Sequence, residues 1–99
     1  MRVELLYFDG CQHWPTALEH LEEALGKVGR TQAVQLRAVT NEAEAQQHEM
    51  AGSPTILIDG RDPFPSEGPT WGCRLYPVEG SSQGAPTVAS LVEVLSGRR

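Results

Sequence analysis

Val3-Glu4-Leu5-Leu6-Tyr7-Phe8-Asp9-Gly10-Cys11-Gln12-His13-Trp14-Pro15 is the segment that sets the fold class. Its first six residues are apolar on both faces of an extended chain, apart from Glu4, as expected of a central strand covered on both sides. Asp9-Gly10 ends that strand. From Trp14 onward the period changes: Trp14, Leu18, Leu21, Leu25 and Val28 fall on one face of a helix, while Glu19, Glu22, Glu23 and Lys27 fall elsewhere. Pro15 suits the first turn, where its missing N–H has no intrahelical partner, and Gly29 can close the helix.

Further along, Gln32–Val39 alternates, with Val34, Leu36 and Ala38 on one side, and reads as a second strand. Asn41–Met50 reads as a short helix capped by Thr40 or Asn41 and stopped by Gly52. Thr55-Ile56-Leu57-Ile58 is a third strand closed by Asp59-Gly60. The stretch 61–72 holds Pro63, Pro65, Pro69, Gly68 and Gly72, which makes it a loop. Cys73–Pro77 reads as a fourth, edge strand ended by Pro77, followed by a polar turn at Glu79–Gly84. Pro86 opens a last helix that buries Val88, Leu91, Val92 and Leu95 and ends at Gly97. The expected architecture over 1–99 is one α/β domain, ordered β-α-β-α-β-β-α, with a four-stranded mixed sheet flanked by helices.

Composition narrows the function classes. Ninety-nine residues can bury one core, and a formal charge of −5 with scattered Lys and Arg offers no footprint for a phosphate backbone. No nucleic-acid partner is expected. No apolar run approaches the roughly 20 residues that a bilayer requires, and the N-terminus reads as a strand, not a signal peptide. The expectation is therefore a soluble, unprocessed cytoplasmic chain with no membrane partner. Two cysteines are too few for a disulfide-stapled miniprotein, so their placement matters more than their number.

Cys11 stands between a strand and a helix. Backbone N–H groups and the positive end of the helix dipole favour a thiolate there; protonated His13 adds to this and Asp9 opposes it. The plain alternative is a small apolar residue packed in the turn. Trp14 either packs in the core at the head of the helix or forms an exposed apolar platform beside the thiol. Trp71, in the loop, either extends that platform, meets a second subunit, or pins the loop.

Three features together resemble the thioredoxin-like superfamily, in particular its small bacterial members. They are a strand running into Cys11-Gln12-His13-Trp14 at the Cys-x-x-Cys position, Ser53-Pro54-Thr55 at the cis-proline step, and the order of elements. The resemblance implies Cys11 as nucleophile with His13 beside it, where the superfamily's disulfide oxidases also carry histidine. It also implies that Trp14, Ser53, Pro54 and Thr55 contact substrate, with a cis bond at Ser53-Pro54 that turns Ser53 toward a bound chain. It implies no cofactor.

Trp14 departs from the pattern, because the family's second cysteine there resolves the mixed disulfide and tryptophan does not. The expected activity is monothiol exchange, with a protein disulfide or a small thiol such as glutathione as partner. The alternatives are a binding module without turnover, which holds a peptide or forms a homodimer, and capture of a soft metal such as mercury or copper by the thiol. A resident metal site is not expected, since Cys11-x-His13 supplies two ligands and His20, His48 and Cys73 show no matching spacing. In the minimal thioredoxin topology, the start of the fourth strand lies at the end of the sheet remote from the cis-proline. A strand of four or five residues spans roughly 15 Å, and a disulfide needs Cα atoms within about 7 Å. Cys73 is therefore expected far from Cys11, as a half-buried edge thiol, unless the loop folds over the site.

Overall fold

The computed structural model describes residues 2–8, 10–30, 33–48, 50–64, 70–73, 76–78, 81–83 and 85–97, and for 51, 70–73, 77–78 and 81–83 the backbone alone. Asp9, the loop residues 65–69, the turn residues 79, 80 and 84, and the side chains of Trp71 and Cys73 lie outside the described residues. The elements are β1 (Val3–Phe8), α1 (Trp14–Lys27), β2 (Gln35–Val39), α2 (Glu42–Gln47), β3 (Ala51–Ser53), β4 (Thr55–Ile58), β5 (Thr70–Cys73), β6 (Tyr76–Val78), β7 (Ser81–Gln83) and α3 (Val88–Leu95). The chain is α/β, with a three-stranded mixed sheet ordered β2-β1-β4. β1 runs parallel to β2 across the α1 crossover and antiparallel to β4.

β1 is the covered central strand that its composition predicts. Val3 and Leu5 enter one cluster with Ala17, Leu21, Ala24 and Leu25 of α1, Ile56 of β4, and Leu91, Val94 and Leu95 of α3. Leu6 and Phe8 point to the other face, with Val39, Ala45 of α2 and Met50. Two helices thus cover one face and α2 the other. The deepest positions of α1 include Ala17 and Ala24, both fully buried, because small residues let the α1 and α3 backbones approach. Gly29, at φ +76°, ends α1 as expected: Arg30 N–H donates to Leu25 O at 2.9 Å and Gly29 N–H to Gly26 O at 3.1 Å, a Schellman closure.

Several expected details are corrected. Leu36 of β2 is 48% exposed and its neighbours Gln35, Arg37 and Ala38 are exposed too, because β2 is the sheet's outer strand and buries only Val39. Asn41 is the cap of α2, accepting from Glu44 N–H at 2.8 Å, and the helix stops at Gln47, short of Met50. α3 opens at Val88 and not at Pro86, behind the cap Thr87, whose side chain accepts from Ser90 N–H at 3.1 Å.

The larger correction concerns the fourth strand. Asp59 and Gly60 both adopt positive φ, at 52° and 81°, so the tight two-residue turn after β4 forms. Its return strand stops after one bridge, Ile58 to Arg61. Pro63 has no N–H for a ladder, and Asp62 Oδ1 accepts from Phe64 N–H at 2.9 Å, turning the chain away. The residues expected to complete the sheet instead form two small ribbons: β5 lies parallel to β3, and β6 pairs antiparallel with β7.

Candidate functional site

Where β1 ends, the β1–β4 ladder reaches its last pair, Leu6 with Thr55, and the chain on the β4 side is the Ser53-Pro54 step. Side chains then take over the bonding. Ser53 Oγ accepts from Phe8 N–H at 2.9 Å, fully buried and 45 residues distant in sequence. The Ser53 carbonyl accepts from the Cys11 thiol at 3.5 Å. Ser53 therefore fixes both the end of the central strand and the sulfur that follows it. The Ser53-Pro54 bond is cis, as the resemblance implies.

Cys11 is held in place by its own turn, with its N–H donating to Phe8 O at 2.9 Å. The residue is 7% exposed and belongs to the second cluster, with Leu6, Phe8, Val39, Ala45 and Met50. Of the two readings of Cys11, the small apolar residue packed in the turn describes its burial. Its described neighbours Gly10, Gln12 and His13 are exposed. His13 is the N-cap residue of α1 and makes no side-chain capping bond, which places Cys11 two residues before the cap and outside the first helical turn.

Trp14 is half-buried and stacks on Tyr7, with ring centroids 4.2 Å apart and planes 19° apart. It touches both clusters, so it is core at the head of α1 more than an open platform. Thr55 is fully buried and donates from Oγ1 to Gly52 O at 2.6 Å. Pro54 is buried as well, and its carbonyl accepts from the hydroxyl of Tyr76. Of the five residues named with Cys11, Ser53 bonds to it and Trp14 packs against its cluster, Pro54 and Thr55 follow Ser53 as buried residues, and His13 is exposed.

Two neighbours escaped the sequence reading. Tyr76, 1% exposed and set edge-on to Phe64 at 5.3 Å, gives no periodic signal in its short segment, yet its hydroxyl anchors Pro54. Cys73 is the other. The strand expected to carry it to the remote end of the sheet is β5, and its register pairs Cys73 with Ser53. Arg61 sits at the remote end beside Ile58, whereas Thr70 pairs with Ala51 at the near end. A connection of that length reaches up to roughly 30 Å, ample for the return.

Among the described residues no three His, Cys, Asp or Glu side chains gather as a metal site, and no helix is long and apolar enough to cross a membrane. A scan against family models and searches of curated proteins and of solved structures find no match to this chain.

Proposed function

We propose that this chain is a thioredoxin-like thiol protein in which Cys11 exchanges with disulfides. The observation that carries the reading is the Cys11 thiol, in the connection from β1 to α1, bonded to the carbonyl of Ser53 at the end of β3. The order β2-β1-β4, with a helical crossover between the parallel pair, supports the superfamily resemblance; the fourth strand of that topology is replaced here by β5 and the β6–β7 ribbon.

In the proposed reaction the Cys11 thiolate attacks one sulfur of a disulfide, forms a mixed disulfide and expels the other half as a thiolate. Since Cys11 is buried, attack requires the segment around it to open. That is a local opening, with no separation of sheet from helices. The group bonded to the sulfur is the Ser53 carbonyl, while His13 is exposed at the cap of α1. The binding-module alternative loses the edge it would use, because the backbone beside Ser53 is already paired with β5 of the same chain.

The test is a reaction of the reduced Cys73→Ser variant with glutathione disulfide, followed by mass spectrometry of the intact chain and its peptides. One glutathione on Cys11 is the expected product under native conditions. A protein that takes up glutathione only once unfolded refutes the thiol reading.

A further inference from the structure

The strand beside Ser53 bears a cysteine, and this gives the site a second thiol that the Cys11-Gln12-His13-Trp14 motif lacks. Ser53 joins the two residues: its carbonyl accepts from Cys11 Sγ at 3.5 Å, and its Cα is the register partner of Cys73 in the parallel β3–β5 pair. Paired strands lie about 4.8 Å apart. A disulfide asks for Cα atoms within about 7 Å; the two cysteines flank one residue, and a shift of the segment around Cys11 toward β5 would close the bond. β5 also packs against α2, which covers the cluster holding Cys11.

We propose that β5 is an intramolecular docked strand and that Cys73 is the resolving thiol for Cys11, so that oxidation yields a Cys11–Cys73 disulfide. The inference rests on Cys11 being the attacking thiol and adds its partner. With glutathione disulfide as oxidant, the Cys11 thiolate first attacks, forming Cys11–S–S–glutathione and releasing one glutathione thiolate, which takes up a proton. The Cys73 thiolate then attacks the Cys11 sulfur, forming Cys11–S–S–Cys73, breaking the bond to glutathione and releasing the second thiolate. Two cysteines are oxidised and one glutathione disulfide is reduced to two glutathiones. The chain would thereby act as a two-cysteine device whose second sulfur arrives from a strand and not from the first turn of the helix.

The experiment reacts the full-length reduced chain, Cys73→Ser, Cys73→Ala and Cys11→Ser with glutathione disulfide, quenches with acid over time, and maps non-reduced tryptic peptides. Wild type is expected to lose two hydrogens and to link peptide 3–27 to peptide 62–74, with its glutathione adduct decaying at least about tenfold faster than that of Cys73→Ser, as an intramolecular attack should. A wild-type adduct as lasting as that of Cys73→Ser and Cys73→Ala overturns the inference while leaving Cys11 as the reacting thiol. No adduct on Cys11 in either Cys73 variant overturns the proposed function and this inference with it. The wild-type arm needs no substitution, so a variant that fails to fold does not decide the outcome.

Discussion

Thr55→Val isolates one buried bond beside the candidate site. The Thr55 side chain is fully buried and its hydroxyl donates to Gly52 O at 2.6 Å, closing the turn that contains Ser53 and Pro54. Valine keeps the branched shape and replaces the hydroxyl with a methyl group, so packing is nearly conserved and the change is the loss of a donor to a buried carbonyl. Such a loss costs about 1–2 kcal/mol. A chain of 99 residues unfolds with an entropy near 0.2 kcal/mol/K, so the melting temperature should fall by about 5–10 °C. Thr55→Ala removes a methyl group as well and should cost about 1 kcal/mol more. The assay is thermal unfolding followed by circular dichroism, with calorimetry on the same samples. A Thr55→Val protein that melts within about 2 °C of wild type refutes the assignment of Thr55 as the clasp of this turn.

Two other perturbations test how the site is supported. Gly52 has φ +103°, a conformation that side-chain-bearing residues rarely adopt, so Gly52→Ala should destabilise by about 1–2 kcal/mol in urea unfolding; an unchanged midpoint would show that the turn has another shape. Glu4, 7% exposed, binds Arg2 Nε at 3.0 Å and lies 3.7 Å from Arg37, both of which are more than half exposed. Glu4→Gln should therefore cost no more than about 1 kcal/mol, and Arg37→Gln less than about 0.5 kcal/mol, because solvent screens the arginine ends. Equal losses of several kcal/mol for Glu4→Gln and Arg37→Gln, measured in the same urea titrations, would contradict that picture.

The central strand, the crossover helix and the turn residues were readable because each rests on spacing within one element. Val3–Phe8 is apolar on both faces, α1 repeats every third or fourth residue, and Gly29, Asp59, Gly60 and Gly97 mark turns by their positive φ. The position of Cys11 after a strand and before a helix was readable too. Its burial was not, since it depends on Val39 of β2, Ala45 of α2 and Met50 before β3, which are distant in sequence.

Local sequence therefore determined the central strand, the crossover helix and the turn in which Cys11 stands. Tertiary structure decided where Cys73 goes. A proline and an Asx turn end the hairpin after Arg61, and the connection that follows is long enough to bring the chain back to Ser53. Periodicity reports neighbours three or four residues apart; the β3–β5 pairing joins residues about 20 apart through a segment with no period. Only the geometry of the folded chain could show that a strand bearing a second thiol lies against the residue that holds the first.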